Sequence, residues 1–339
     1  MAIVGGLDVH RRQITFDCLD GATGQVRRGR IVPATRARFR SWLAQLPRPA
    51  ALAVEGCTGW RFIVEECQAA GIEVQLAEPA DTAAADGPKR RARTARAAAR
   101  RIRELLADGR LPQSWIPPRQ VLEMRTLLRL YKDLREEHTA WVQRIHATLF
   151  HDGVAAPIGE LLAADHRARL ASGDGLSPAA HQAVLAALRT LHALENEMAP
   201  LRRRLTAFAR KQPVCASLLE HYGVGPVTAV AIWAELGDAR RFSSSRQAVR
   251  HTGLDVTVYS SDTKRSPGRL ARQGPPLLRW ALFEAAKCAA RPSAPDYAYY
   301  QQVKARCGGT RAALSVARKL VRRAHHALRA LGDEALAAV

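Results

Sequence analysis

The chain has 339 residues and a formal net charge of +21 at neutral pH, with 52 Lys and Arg against 31 Asp and Glu. This length predicts two or three domains, and a composition rich in Ala, Leu and Arg but poor in aromatic residues favours helix over sheet. The charge indicates a polyanionic partner, nucleic acid first, because clustered cations displace counterions from phosphates. A GC-rich genome would explain the preference for Arg over Lys, but not the excess over acidic residues.

Zinc-binding cysteine pairs and membrane segments are both missing from the sequence pattern. The cysteines form no CxxC pair and no zinc-finger spacing; they are Cys18, Cys57, Cys67, Cys215, Cys288 and Cys307. The N-terminus shows no signal-peptide pattern, and no apolar run is long enough to span a membrane. We therefore expect reduced thiols and a soluble, cytoplasmic protein with no membrane partner.

Two strand patterns near the N-terminus end on acidic residues. Residues 3–10 are an apolar run with Asp8 near its end, and the apolar run 51–54 ends on Glu55. A buried strand can hold a carboxylate rigidly, as a metal site requires. An Asp at a strand end is also a common turn residue, so this feature alone leaves both interpretations open.

Residues 1 to about 80 alternate between strand and helix patterns. Strands are predicted at 3–10, 13–17, 26–32, 51–54 and 73–77, and helices at 35–46 and 60–70. Three strands, a helix, a strand, a helix and a strand are typical of an α/β domain of the ribonuclease-H type.

A cationic helix pattern follows this α/β part. From Lys89 to Arg103 the sequence has eight basic residues and no acidic one, and Gly109 marks the helix end. A solvated charged face is one interpretation, but such faces usually mix both signs, so we interpret this one as a phosphate contact. The residues assigned to that contact are Lys89, Arg90, Arg91, Arg93, Arg96 and Arg100.

Two long helix patterns come next, after a proline-rich linker. Apolar residues recur at helical spacing from Val121 to Ile145 and again from Pro178 to Phe208, where Pro200 is expected to kink the helix. A loop is expected between them, at 153–175. The pair predicts an antiparallel coiled-coil arm for self-association, while an ordinary helical core is an equally good interpretation.

The remaining C-terminal part is expected to be mostly helical. Residues 218–229 suggest a helix-hairpin-helix, in which Gly223 and Gly225 permit a tight turn and the next helix presents N–H groups to a phosphate. A plain helix–helix connection is the alternative. A Gly/Ser/Arg-rich segment follows at 252–274, and then helices at 277–291 and 311–331.

Taken together, these segments resemble insertion-sequence transposases that join a RuvC-like (DEDD) domain to a C-terminal serine-bearing domain, the family that includes bridge-RNA-guided recombinases. The matching stretches are Gly6-Leu7-Asp8-Val9-His10, residues 54–59, 93–100, 222–226, 253–254, Tyr259-Ser260-Ser261 and 274–279. They cover nearly the whole chain in the family's order. We therefore assign a RuvC-like domain to 1–112, a coiled-coil arm to 113–212 and a C-terminal transposase domain to 213–339.

The resemblance implies four metal-binding acidic residues, of which this sequence has two. Asp8 and Glu55 match the first pair, whereas Ala95 and Ala98 occupy the positions of the second pair, three apart on a helix. Carboxylates suit Mg²⁺, a hard ion that takes oxygen ligands, and alanine supplies none. The Mg²⁺ site is therefore expected to be incomplete. Natural decay would leave this pattern, but alanines in an otherwise intact helix favour an introduced change.

The resemblance also implies a serine that attacks DNA and forms a phosphoserine. We assign this role to Ser261, with Ser260 as the alternative; a serine hydroxyl is a weak nucleophile and needs an activating group nearby. Phosphates around it are expected to bind Lys264, Arg265, Arg269, Arg272 and Arg279.

The sequence thus predicts an RNA-guided DNA transposase that acts through Ser261, assembles as a dimer, with a tetramer as the alternative, and is impaired by Ala95 and Ala98. Its expected partners are donor DNA, target DNA and a structured noncoding RNA. Two other classes stay open. One is a RuvC-like, metal-dependent junction nuclease in which water attacks, and the other is a non-catalytic nucleic-acid-binding scaffold.

Overall fold

A computed structural model describes residues 3–84, 94–155, 161–257, 259–261, 264–266 and 268–339. The chain divides into two compact units, unit 1 (Met1–Ile116) and unit 2 (Pro117–Val339). The finer division into three domains stays a prediction.

Unit 1 is a mixed sheet with helices, as predicted. Its strands are β1 (Ile3–Val9), β2 (Ile14–Asp20), β3 (Val26–Ile31), β4 (Ala50–Glu55), β5 (Glu73–Ala77) and β6 (Gln113–Ser114). Its helices are α1 (Arg36–Leu43), α2 (Trp60–Ala69), α3 (Pro79–Ala84) and α4 (Ala95–Ala107). The strand order is β3-β2-β1-β4-β5-β6; β1 runs antiparallel to β2 and parallel to β4. The predicted strands and helices up to residue 77 are confirmed, whereas α3 and β6 were not predicted.

The two faces of this sheet carry different helices. Leu52 and Val54 of β4 pack in one cluster with Phe39 of α1 and Ile63 of α2. Ala53, between them, packs in another cluster with residues of α4. Because side chains alternate along a strand, a central strand covered on both faces reads as a continuous apolar run. This is why β4 could be found from its sequence.

Within its described residues, unit 2 consists of helices, connecting loops and one hairpin. Its helices are α5 (Arg119–His151), α6 (Ala164–Ser172), α7 (Pro178–Lys211), α8 (Pro213–Leu219), α9 (Pro226–Leu236), α10 (Ser245–Thr252), α11 (Pro276–Lys287), α12 (Tyr297–Cys307) and α13 (Gly309–Leu331). Strands β7 (Tyr259–Ser261) and β8 (Lys264–Ser266) form the hairpin. None of the helices in the described ranges is long and apolar enough to cross a membrane.

The two long helices form an antiparallel pair. Ile145 and Leu149, near the end of α5, pack with Val184 and Leu191, near the start of α7. The loop expected at 153–175 is wrong in part, because α6 lies within it and buries Leu170 in the same cluster. At their other ends both helices contact α9.

Helix α9 is the centre of unit 2. All its residues from Ala229 to Leu236 are buried, and α7, α8, α11 and α5 pack around it. A helix that is apolar on all sides is typical of a core position. Helices α10 and α12 were not predicted from the sequence.

Candidate functional site

Asp8 and Glu55 lie side by side at the ends of two neighbouring strands in the sheet of unit 1. Strands β1 and β4 are parallel, and their register pairs Leu7 with Val54, so the next residues along the strands are Asp8 and Glu55. Asp8 is 8% exposed and Glu55 is half-buried. Burial and then the nearby carboxylates of Glu55 and Asp8 raise the pKa of the Cys57 thiol. The two acidic residues predicted from strand ends therefore share one edge of the sheet.

Gly6 identifies the face of the sheet to which Asp8 points. A Cβ atom at Gly6 would lie 2.0 Å from the backbone oxygen of Ala99, so α4 rests directly on β1. Side chains two apart on a strand point to the same face, which puts Asp8 on the side that α4 covers. A glycine is required here because no other residue permits this approach.

The two alanines lie on the same helix face as the contact with β1. Ala95 and Ala98 are half-buried, and Ala99 is buried against Gly6. Residues separated by three or four positions share one helix face, so Ala95 and Ala98 lie on the sheet-facing side of α4. An acidic residue at either position would project from that side.

The side chains present do not complete a divalent-metal site. Within the described ranges, no group of three or more His, Cys, Asp and Glu side chains is placed to hold a metal ion. The Asp8 carboxylate contacts the imidazole of His10, with 3.0 Å between Oδ2 and Nε2. Mg²⁺ takes near-octahedral oxygen coordination and favours carboxylates, so Asp8 and Glu55 alone leave it short of protein ligands and negative charge.

The cationic helix α4 has some arginines exposed to solvent, as expected, and one that is buried. Arg96 and Arg100 are exposed, but Arg100 donates a 2.7 Å hydrogen bond to Glu104. Arg103 points inward, where its Nε lies 2.6 Å from Oδ1 of the buried Asp17. Lys89, Arg90, Arg91 and Arg93 lie outside the described residues. Part of the positive charge of α4 is therefore neutralised within unit 1. The ion pair of Arg103 with Asp17 also links α4 to β2.

The two candidate serines lie on the hairpin of unit 2. Ser260 of β7 pairs with Arg265 of β8, and Ser261 pairs with Lys264. Beyond this pair the two chain segments also form a bridge between Val256 and Leu270. The predicted polar segment is thus an antiparallel hairpin with Ser261 at the end of its first strand. Which serine reacts stays a prediction.

The remaining candidate arginines differ in their contacts. Arg269 and Arg272 are exposed. Arg279 is half-buried, and its Nη1 donates to the carbonyl of Gly274 at 2.8 Å and to that of Thr252 at 3.2 Å. Burial and the neighbouring Arg272 lower the pKa of Arg279. Phosphate binding by these three residues stays a prediction, and the contacts of Arg279 give it a second role, toward the backbone.

The turn between α8 and α9 contains the two predicted glycines. Gly223 has a φ of +84°, and a Cβ atom there would lie 2.4 Å from the carbonyl oxygen of Ala285, so this glycine permits α11 to approach. Gly225 has open space around it and precedes the first residue of α9. Two helices joined by a short turn are confirmed, whereas a phosphate contact at this turn stays a prediction.

A half-buried polar group that follows the end of α9 was missed from the sequence. Arg241 donates to the carbonyl of Leu236 at 3.0 Å and to Nε2 of His251 at 3.2 Å. Burial and the adjacent Arg241 lower the pKa of His251 to about 4, so the imidazole is neutral near pH 7. Arg318, which donates to the carbonyl of Leu254 at 2.6 Å, was also missed as a structural residue. No periodic signal marks such contacts, because their partners are backbone carbonyls and, for Arg241, also the ring of His251.

Two family models match the chain in consecutive parts. A transposase model named DEDD_Tnp_IS110 matches residues 5–151, which include Asp8, Glu55 and α4. A model described as a transposase of the IS116/IS110/IS902 family matches residues 215–301, which include the hairpin.

Curated relatives are transposases by name. A probable family 20 transposase of Pseudomonas aeruginosa is 27% identical over 262 residues, which are 76% of this chain and 75% of that protein. The transposase of insertion element IS1328 of Yersinia enterocolitica is 24% identical over 83% of this chain and 82% of its own length. Putative transposase y4rJ of Sinorhizobium fredii is 28% identical over 65% of this chain and 60% of its own length.

Proposed function

Because the chain is an insertion-sequence transposase of the IS110 family, and thus an enzyme of DNA recombination, we propose that it is an RNA-guided recombinase whose acidic cluster is incomplete. The observation that carries the proposal is the arrangement in unit 1. Asp8 and Glu55 lie side by side on the face covered by α4, and that helix presents Ala95 and Ala98 toward the sheet. The order of strands and helices in unit 1 also supports a ribonuclease-H-type, RuvC-like domain.

In the proposed reaction the hydroxyl of Ser261 attacks a phosphodiester phosphorus of DNA. A phosphoserine bond forms, the bond from phosphorus to one sugar oxygen breaks, and the serine proton passes to that oxygen. Attack by a sugar hydroxyl of the second DNA strand then joins the strands and returns the proton to serine. A serine hydroxyl requires activation and stabilisation of the charge that develops on the phosphate. With two of the four family acids replaced by alanine, we expect this chain to bind nucleic acid but to recombine poorly or not at all.

The guide RNA and the assembly belong to the same proposal. The excess of basic residues supports binding of RNA as well as DNA, because each phosphate neutralised releases counterions. The paired helices α5 and α7 support a dimer, with a tetramer as the alternative, because their middle parts leave apolar side chains half-buried. A metal-dependent junction nuclease and a non-catalytic scaffold are the competing functions.

The test restores the two acidic residues. We expect Ala95→Asp combined with Ala98→Asp to give Mg²⁺-dependent strand exchange between two plasmid-borne sites in the presence of the cognate RNA. The unchanged chain should give little or none. Ala97→Asp, an exposed position on the same helix, is the matched control and should restore nothing. Failure of the doubly substituted chain to recombine, with RNA and DNA bound, would support the scaffold.

The nucleophile is tested in the restored chain. Ser261→Ala should abolish both recombination and the covalent protein–DNA adduct on a denaturing gel. Recombination that survives Ser261→Ala moves the role to Ser260, which Ser260→Ala then tests. Cleavage with no adduct in any variant would identify the junction nuclease, in which water attacks.

A further inference from the structure

The hairpin that carries Ser260 and Ser261 continues into a closed base, defined here as residues 252–257 and 268–274. The N–H of Thr257 donates to the carbonyl of Arg269 at 2.8 Å, and the N–H of Ala271 donates to that of Asp255 at 3.0 Å. The N–H of Arg272 donates to the carbonyl of Gly253 at 3.1 Å. The two segments therefore stay paired by backbone hydrogen bonds well beyond the short strands β7 and β8.

Glycines allow the two segments of the hairpin base to approach closely. A Cβ atom at Gly268 would lie 2.1 Å from the carbonyl oxygen of Thr257, and one at Gly274 would lie 2.0 Å from that of His251, the residue of α10 that precedes the base. Backbone cannot yield to such contacts as a flexible side chain can, so these positions require glycine. The base of the hairpin is thus fixed by packing as well as by hydrogen bonds.

Two arginines from separate helices hold this base. Arg279 of α11 donates through Nη1 to the carbonyl of Gly274 and to that of Thr252, which joins the last residue of the base to the first. Arg318 of α13 donates through Nε to the carbonyl of Leu254 at 2.6 Å. Both side chains are half-buried. A guanidinium presents several donors in a rigid plane, so it can fix the position of carbonyl oxygens better than a flexible ammonium can.

We propose that Arg279 and Arg318 are positioning residues for recombination: they hold the hairpin base against α11 and α13 and so fix where the reactive serine lies. The inference rests on the proposed function, in which that serine is the nucleophile. A nucleophile displaced by about 1 Å can lose about a hundredfold in rate, because the reacting atoms no longer meet at attack distance. Arg279 therefore has a role through the backbone of the hairpin, in addition to the phosphate contact that the sequence predicts for it.

The first test measures hydrogen exchange in the chain as it exists. Arg318→Met and Arg279→Met should each speed exchange of the amides of Thr257, Ala271 and Arg272 by about tenfold or more, since local opening becomes easier. Amides of α9 should keep their rates, which shows that unit 2 is still folded. Arg311→Met is the matched control: Arg311 is an exposed residue of α13, the helix that carries Arg318, and the substitution removes the same charge. Wild-type exchange rates at the three amides would overturn the proposal.

Lysine variants cover the case in which a methionine variant does not fold. Arg318→Lys and Arg279→Lys keep a positive charge and one donor site, so exchange at the same three amides should lie between the wild-type and methionine values. A lysine variant with intact α9 protection and unchanged exchange in the hairpin base would again contradict the proposal.

The second test uses the Ala95→Asp and Ala98→Asp chain. Arg318→Met should lower the yield of covalent adduct by about 10- to 100-fold, while DNA affinity stays within about twofold of that of Arg311→Met, which has the same charge. Faster hydrogen exchange in the hairpin base together with an unchanged yield of covalent adduct would overturn the positioning role. If the parent forms no adduct, the proposed function fails instead, and hydrogen exchange still decides whether the two arginines hold the base.

Discussion

At the scale of single residues, the lack of a side chain at Gly6 allows α4 to pack directly against β1. The backbone of α4 is so close to β1 that a methyl group at Gly6 would overlap the oxygen of Ala99 and approach the nitrogen of Arg103 to 2.6 Å. Both atoms belong to backbone, so relief would require α4 to move away from the sheet. This single position therefore fixes the distance between Asp8 and the helix that carries Ala95 and Ala98.

We expect Gly6→Ala to destabilise unit 1 by about 3 kcal/mol, the upper part of the range for overpacking a tight site. Chemical denaturation followed by circular dichroism measures this change. Gly56→Ala is the control: its Cβ would meet atoms no closer than 3.4 Å, and its effect should stay below about 1 kcal/mol. Equal effects of the two substitutions would show that α4 does not rest on β1 as described.

His251 makes the stability of unit 2 depend on pH. Burial and Arg241 lower its folded-state pKa to about 4, whereas the unfolded state protonates near pH 6.5. The unfolded state thus binds more protons as the pH falls from about 6.5 to about 4, so stability decreases over that range and levels off below it. The loss should reach about 3 kcal/mol.

His251→Gln should remove this part of the pH dependence, because glutamine does not titrate. The measurement is the unfolding free energy between about pH 7 and about pH 4, with the difference between variant and wild type separating His251 from the carboxylates. His326→Gln, at an exposed position, should leave the slope in place. A parallel pH profile for His251→Gln and wild type would contradict the assigned burial.

At the scale of elements, the pair of α5 and α7 combines two kinds of packing. The two ends are buried, but no residue of α5 between Tyr131 and Ile145 is buried, although α5 is described throughout. Leu134, Trp141 and Met198 are half-buried in this middle part. The pair is therefore neither an ordinary helical core nor a fully covered seam. Half-covered apolar residues at heptad spacing are typical of helices that pack against another copy.

We expect Leu134→Glu combined with Met198→Glu to shift the chain from dimer to monomer, because two charges would then be placed in the apolar seam. Multi-angle light scattering measures the mass, with and without RNA. Thr139→Glu, at an exposed position of α5, adds a charge outside the seam and should leave the dimer intact. A wild-type chain that is monomeric under both conditions would remove the case for self-association.

At the scale of the whole molecule, we expect the excess of positive charge to govern the binding of nucleic acid. The net charge of +21 includes exposed arginines at the end of α7, namely Arg202, Arg203 and Arg204. Affinity for the guide RNA of the proposed function should fall roughly a thousandfold between about 50 and about 200 mM salt, as expected for six or more neutralised phosphates. Replacing the three arginines with glutamine should reduce the slope of log affinity against log salt by about two or three.

Filter binding or fluorescence anisotropy across a salt series checks this expectation. The control is a shuffled RNA of equal length, which tests whether binding depends on more than charge. A flat salt dependence would exclude the polyanion surface, and equal affinity for the shuffled RNA would exclude a specific guide.

The sequence by itself determined strands β1 to β5 of unit 1, the acidic residues Asp8 and Glu55 near the ends of two of them, and the absence of acidic side chains at positions 95 and 98. These features are local: alternation, continuous apolar runs and residue identity are all read within a few positions. The long helices α5 and α7 were predictable for the same reason, since their apolar spacing repeats over many turns.

Only the tertiary structure decided which arginines face solvent and which face the protein. Arg103 binds Asp17 of another strand, and Arg279 and Arg318 bind carbonyls of the hairpin base. In the sequence each of them reads as one more cation available for phosphate. Asp17 for Arg103, Thr252 for Arg279 and Leu254 for Arg318 all lie in segments distant in the chain, and the close packing at Gly6 and Gly274 arises only when such segments meet. A local pattern fixes which helices and strands form, whereas the partner of a charged side chain depends on how they pack.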